Sequence, residues 1–567
     1  MATFDHNPSL NTLDLSVGRL LRARSKDDSE IVELAGSLTS HALRQGHVCL
    51  DLDELQNSIP LEYSKSDSLK DISPKLRSHT SVGSESHTTR PLILSKANKL
   101  YFHRYWHYEQ KLIKAIQDRI QCTPDKDSKE IAITDSLGND QKRAVRLATQ
   151  SLLTLISGGP GTGKTTTVLY VLASLQERNK DEPLKIALAA PTGKAAQRIQ
   201  ESLESGLEKL PLSEASKDQI TTSASTIHRL LGYKRNSSQF QHNENNPLPF
   251  DVVIVDEASM LDLLLFTKLL GALKTETRLI LLGDSHQLSS VEAGSIFGDL
   301  MVASHSNQNL GKHTVELKEN FRFGNDSKLY QACEYIKHGK SEQTLALLEE
   351  GSENLTSKTL PSNNRLISEL EQSFADHFVS LTQLTDPQIA LNALSNTCLL
   401  TPLRKGPYGV EGLNQAMETL VRNRLQTLDK QRHFNGQPIL VTANSYTQGL
   451  FNGDLGIIMQ AEDEPDSLFA YFPDENEETK RHPLSALPAF ESAYAFTVHK
   501  SQGSEYKNVV LILPSIESPI LSQELIYTAI SRSRNRAEIW GETESLKMAI
   551  NNPTRRTSGI LDYLTAH

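Results

Sequence analysis

The sequence predicts an α/β fold: two open parallel-sheet units, a small β-barrel inserted into the second, and a helical region ahead of the first. Three observations predict it. Between about residues 135 and 303, the apolar runs LLTLISG, KIALAAPT, DVVIVDEA and RLILLGD alternate with helical stretches and end on polar residues. Short runs rich in Ile, Val and Leu are strands buried on both faces of a parallel sheet. From about residue 317 a second series follows, with strands expected near residues 397–401, 494–497 and 509–513. Inside it, residues 437–488 (PILVTANS, GDLGIIMQ, LFAYFP) alternate with turns, the pattern of a small β-barrel.

Taken in order, residues 1 to about 120 read as helical, with helices over 28–45 and 96–120 and a Ser-rich polar stretch over 64–89 between them. The aromatic segment LYFHRYWHYEQKLIKAI suits a buried helix face or a stacking surface for nucleic acid. The expected division is 1–125, 126–315 and 316–567, with the barrel at about 435–490. Residues 237–249 read as a surface loop, and no repeat of fixed period or heptad pattern is present.

A length of 567 residues favours roughly three or four domains, and 38% hydrophobic with 23% charged residues is the composition of a soluble globular protein. No run of about 18 apolar residues occurs, and MATFDHNPSL has neither a basic start nor an apolar core, so a cytoplasmic location with no membrane contact is expected. Cys49, Cys122, Cys333 and Cys398 are too scattered for metal-type pairing and read as free core thiols. A net charge of -10 excludes a broad basic coat for duplex, though not a narrow basic channel.

The chemistry centres on Gly158-Gly159-Pro160-Gly161-Thr162-Gly163-Lys164-Thr165, which an apolar strand precedes and a helix, beginning at Thr166, follows. Glycines turn backbone N–H groups inward around phosphates, Lys164 brings a charge to the terminal phosphates, and the Thr165 hydroxyl can ligate magnesium. The helix N-terminus adds its dipole. ATP or GTP binding follows. In VVIVDEAS, Asp256 can hold magnesium through water and Glu257 can polarise the attacking water. Asp284 and Gln287 in LLGDSHQLSSV occupy a turn where an amide can sense the terminal phosphate. Gln141, ahead of the loop strand, can read an adenine edge with its paired donor and acceptor, which favours ATP. Arg322 in ENFRF and Arg532 in ISRSR are either surface arginines or groups reaching across a cleft to the phosphates.

In order, GGPGTGKT, APTGKAAQRI, STIHRLLG, VDEAS, GDSHQL, ENFRF, TVHKSQGSEY and YTAISRSR resemble the superfamily 1 DNA helicases of the five-prime to three-prime branch. More narrowly they resemble the RecD family, alpha subunits of bacterial exodeoxyribonuclease V (RecBCD). The series spans about residues 139–537, and TPLRKGPYGVEGLN, VTANSYTQGLFNGDLGI and GHVCLDL extend it. The resemblance implies two RecA-like P-loop NTPase units, an SH3-like barrel, and an N-terminal domain that binds a partner. It also implies ATP with Mg2+ as cofactors, single-stranded DNA with a five-prime end as substrate, and RecB-like and RecC-like subunits as partners. The activity implied is DNA helicase and DNA-dependent ATPase in double-strand break repair and homologous recombination, with any nuclease in a partner chain.

Position by position, the resemblance makes Gln141 the adenine-reading glutamine and residues 158–166 the phosphate site, with Thr165 and Asp256 at the metal. Asp256 and Glu257 become the magnesium and water-activating pair, Gln287 the phosphate sensor, Arg322 and Arg532 the arginine fingers. Thr192, Thr226, His228, His499 and Gln502 fall in motifs that touch the single strand or couple it to ATP. Ser531 and Ser533 depart from the family's more frequent Thr and Ala. Other classes remain in view. A module holding ATP as a structural ligand would not need the full hydrolytic set, and a stand-alone nuclease would need a carboxylate-lysine cluster outside the ATP site. A solitary RecD-like helicase would carry a longer N-terminal region than the approximately 130 residues ahead of Gln141.

Overall fold

The computed structural model describes residues 10–565, apart from 26–28, 59–71, 122–136, 180–181, 211, 235–236, 238, 324–326, 426–431, 446, 474–478, 516–517 and 519. The first unit is a six-stranded sheet ordered Thr314–Leu317, Leu153–Gly158, Arg278–Gly283, Val252–Val255, Ile186–Ala190 and Ala224–Thr226, and every neighbouring pair is parallel. Alternate residues feed two cores, one per face. Leu155, Val253 and Leu281 pack on one side, and Ile156, Ile254 and Ile280 on the other. That two-sided burial is why the central strands are continuously apolar. The edge strands Ala224–Thr226 and Thr314–Leu317 were not expected; each is short and carries polar residues. The latter pairs with Leu153–Gly158 and carries the first sheet past residue 315.

The second unit is a five-stranded parallel sheet, ordered Leu355–Lys358, Ser533–Gly541, Tyr506–Leu513, Thr397–Thr401 and Ala495–Thr497. Leu400, Val509 and Leu511 pack against helix Gln523–Ser531, while Leu399, Val510 and Trp540 face the opposite core. Three of its strands coincide with the expected ones.

The inserted segment departs from a closed barrel. It is an open antiparallel sheet ordered Thr479–Pro483, Leu468–Pro473, Leu455–Gln460, Gln437–Val441 and Phe490–Ser492, and among the described residues the two outer strands are not paired. The cause lies in what covers its faces. Ile458, Ala470 and Phe472 form a small core of their own, whereas Ile457, Met459 and Tyr471 pack into the helical core that holds Leu391 and Leu394. With a helix layer on the second face, burial does not require closure.

The N-terminal region has the helices Thr12–Arg24, Glu30–Arg44 and His103–Gln121. It also has a four-stranded sheet, Leu50–Asp51, Lys99–Phe102, Leu92–Leu94 and Val82–Gly83, two of whose strands lie within stretches read as helix or loop. Part of the Ser-rich stretch and Cys122 lie outside the described residues; Cys49, Cys333 and Cys398 are free and buried. On the aromatic helix, Leu112, Ile113 and Ile116 are buried, and Tyr105, Trp106 and Tyr108 pack on the first unit's core. The C-terminal helix Ile560–Thr565 returns to that same core, where Asp562 pairs with Lys99 at 2.6 Å.

Candidate active site

Parallel strands end together, and the loops at their carboxyl ends make the natural binding edge of such a sheet. Here the loops following Leu153–Gly158, Val252–Val255 and Arg278–Gly283 line a cleft of about 620 Å³. Its other wall comes from the segments leading into Tyr506–Leu513 and Ser533–Gly541, so the carboxyl edge of one sheet meets the amino ends of strands in the other.

The phosphate loop departs from Gly158 and enters helix Lys164–Arg178. Gly161 (φ 80°) and Gly163 (φ 77°) take left-handed conformations, and a Cβ at Gly163 would stand 2.4 Å from the Gln141 amide. Only glycine fits there. The Thr162 hydroxyl donates to the Gly159 carbonyl at 2.8 Å, and the Lys164 ammonium donates to the Gly158 carbonyl at 2.5 Å. Lys164, Thr165 and Thr166 line the cleft together with Gly159, Pro160, Gly161 and Gly163; Gly158 and Thr162 do not reach its lining.

Asp256 and Glu257 follow Val252–Val255 and both line the cleft. Glu257 adopts φ 51°, which costs a non-glycine residue about 1–3 kcal/mol and places it with strained residues common at active sites. The Asp256 carboxylate accepts the Glu257 N–H at 2.9 Å. Burial, then the Glu257 charge beside it, pushes Asp256 above the usual carboxylate range, while Lys164 pulls the other way. Gln287 donates through Nε2 to Asp284 at 3.0 Å, which leaves its buried Oε1 without a partner at the cleft. Such an acceptor suits the O–H of a water or a protonated phosphate oxygen.

Arg322 and Arg532 both line this cleft, from the segment after the first sheet and from the second unit. Arg532 is 2% exposed and donates to the Ser504 carbonyl, while its Nε has no partner; Arg322 likewise keeps Nη1 unpartnered. Unpaired buried guanidinium arms beside a phosphate loop are the donors a polyphosphate needs. Gln141 sits just behind: its Oε1 accepts the Gly138 N–H at 3.1 Å and its Nε2 donates to the Gly163 carbonyl at 3.4 Å.

The residues expected near DNA do not line the cleft. Thr192 and Thr226 cap helices Gly193–Leu207 and Ile227–Leu230, accepting from Ala195 and Arg229. His228 is exposed, with its ring edge-on to Phe240, and His499 is half-buried, burial lowering its pKa. Gln502 turns inward and reaches the Leu288 carbonyl at 2.6 Å, across the boundary between units. Five residues missed by sequence reasoning also shape the site: Arg198, Phe321, Glu505, Tyr527 and Arg534. Four of them line the cleft, and the Tyr527 hydroxyl donates to Asp284 at 2.9 Å. Phe321 is 59% exposed beside the loop, an open aromatic face.

Residues 7–101 match the N-terminal domain of RecBCD enzyme subunit RecD, residues 141–293 an AAA domain, and residues 492–539 the UvrD-like helicase C-terminal domain. The chain is 31% identical to RecBCD enzyme subunit RecD of Haemophilus influenzae, over 93% of this chain and 92% of that one. It is 29% identical to the ATP-dependent RecD2 DNA helicase of Deinococcus radiodurans, over 86% of this chain and 62% of the relative. Among solved structures, Bacteroides Pif1 bound to ssDNA overlaps 72% of this chain and 93% of its own at 18% identity, with a TM-score of 0.42, too loose a likeness to add to the argument. RecBCD enzyme subunit RecD of Mycolicibacterium smegmatis is 34% identical over 97% of both chains, and with that relationship the chain belongs to the RecD family of RecBCD enzyme subunits.

Proposed function

We propose that this chain is an ATP-driven DNA helicase that moves along single-stranded DNA from the five-prime end toward the three-prime end. It acts beside RecB-like and RecC-like subunits in repair of double-strand breaks and homologous recombination, in the cytoplasm. One observation carries the reading: the cleft that contains the phosphate loop draws its charged lining from two separate parallel-sheet units. Hydrolysis in such a cleft changes the attraction between its walls, and relative motion of the walls is what a motor requires.

The residues fit ATP with magnesium. Gly161 and Gly163 let the loop take left-handed turns that a side chain would obstruct, and the unpartnered arms of Arg322 and Arg532 need anionic acceptors. Thr165 and Asp256 are the residues that would hold magnesium, which when bound shields the phosphate oxygens. Lys164 leaves the loop carbonyls for the terminal phosphates. Glu257 takes the proton of the attacking water, oriented by the free Oε1 of Gln287. Arg322 and Arg532 meet the charge that develops on the transferred phosphoryl group, a contribution of roughly 10³ to 10⁵ in rate for such arginines. The exposed ring of Phe321 offers a base a face to stack on.

The subunit reading draws on the two RecD relatives, which this chain matches over more than nine-tenths of their lengths. A solitary helicase is the second reading, favoured by the likeness to RecD2. The deciding test is ATP turnover with and without single-stranded DNA, followed by capture from native extract. Turnover that rises with DNA and two large co-purifying chains are expected; turnover indifferent to DNA would overturn the motor, and a chain that captures no partner would leave the solitary reading.

A further inference from the structure

Glu505 lies just before strand Tyr506–Leu513, its side chain 6% exposed, and three arginines from separate parts of the chain converge on it. Arg198, on the first unit's helix Gly193–Leu207, and Arg322 both reach Oε1, Arg322 at 2.5 Å, while Arg534 donates through Nε to Oε2 at 2.9 Å. A single oxygen therefore holds two guanidiniums that repel one another. Burial opposes charge on Glu505, yet Arg198 and then Arg322 overcome it and hold the carboxyl well below its usual range. Three cations against one anion leave the cluster short of negative charge. All four groups line the cleft of the phosphate loop, and the second arm of Arg322, Nη1, is buried there without a partner.

We propose that Glu505 is the positioning residue of Arg322: it parks the guanidinium at the cleft by one arm and yields it to the terminal phosphate of ATP, while keeping Arg198 and Arg534. ATP binding thus exchanges one arginine between two anions. The exchange leaves a link across the cleft in place, because Arg198 of the first unit and Arg534 of the second still share the carboxylate. This inference rests on the ATP-hydrolysing reading of the cleft and adds to it the group that aims one arginine before nucleotide arrives.

The test is steady-state ATP hydrolysis by the full chain at saturating single-stranded DNA, with Glu505→Gln, Arg322→Lys and the double variant, and with ADP titration reporting that each folds. Removing the carboxylate charge takes away a competitor of the phosphates but leaves Arg322 unaimed. The expected result is kcat lower by at least about tenfold, within the range of lost arginine contacts, with KM for ATP unchanged or lower. In the Glu505→Gln background Arg322→Lys should cost less than about threefold further, because residues that act through one contact are not additive. Glu505→Asp keeps the charge one methylene short; it should show an intermediate kcat at unchanged KM, and it decides the matter if Glu505→Gln does not fold. A raised KM with unchanged kcat, or two losses that multiply in full, would overturn the proposal. Unstimulated wild-type chain would instead defeat the motor reading itself, so the two failures are distinct.

Discussion

Gln502 donates a 2.6 Å hydrogen bond to the backbone carbonyl of Leu288, joining the loop ahead of a second-unit strand to the turn after a first-unit strand. The N–H of the same Leu288 donates to the Thr528 hydroxyl at 2.8 Å, so the backbone of one first-unit residue is held by the second unit through both its N–H and its C=O. Leu288 follows Gln287, whose free acceptor faces the cleft. Any shift of Gln287 on hydrolysis is therefore felt across the boundary. In Gln502→Ala, DNA stimulation of ATP turnover should fall at least about fivefold, the low end of ordinary coupling energies, with little change in nucleotide affinity. Comparing turnover with and without DNA checks this; intact stimulation would place the coupling elsewhere.

Lys164→Gln and Glu257→Gln should both abolish turnover with the fold intact, but for different reasons. The first removes charge from the phosphates and weakens nucleotide binding. The second leaves nucleotide bound and unhydrolysed. Equilibrium binding of labelled ATP separates them, and substantial DNA-stimulated hydrolysis by Glu257→Gln would remove that residue as the base.

Arg532→Lys keeps a positive charge and loses the planar fork that grips several oxygens. Turnover should fall at least about tenfold, within the span of arginine-finger effects, while nucleotide affinity changes much less. Unaltered turnover would mean that the cleft closes on other groups.

Glu109 supplies a prediction for stability. It is fully buried and accepts from the Tyr101 hydroxyl and the Gly559 N–H, each at 3.0 Å. Burial, with a smaller push from Asp299, raises its pKa from 4.5 to about 7 against those hydrogen bonds. The folded chain thus retains a proton that the unfolded chain releases. This contribution is complete below pH 4.5 and is lost as pH climbs through about 7, by up to about 3 kcal/mol in all. Denaturant unfolding between pH 5 and pH 8 should show Glu109→Gln gaining on the wild type as pH rises; parallel profiles would mean that Glu109 is already ionised in the fold.

Much of this was legible beforehand, and what was not has physical causes. Strands such as Val252–Val255 announce themselves because burial on both faces makes them continuously apolar, and the groups that follow them fall at the binding edge by topology alone. Ala224–Thr226 gives no such signal, being a short edge strand with two hydroxyl residues. Strand Lys99–Phe102 was absorbed into a helical reading because it runs directly into His103–Gln121, with no turn residue between them. The barrel expectation failed on a neighbour: alternation shows that a sheet has two distinct faces, but not that a helix covers the second. Glu505 was hidden for a similar reason, since its three arginines lie at positions 198, 322 and 534 and meet only when the two units come together.

The proposed motor has a fixed direction along one strand. It is tested most directly by unwinding of matched duplexes with a five-prime or a three-prime single-stranded tail, using the purified chain with and without its partner subunits. The predicted result is ATP-dependent unwinding that requires the five-prime tail, varies little with sequence, weakens steeply with salt and increases when the partners are restored. Preference for the three-prime tail by the isolated chain would contradict the account.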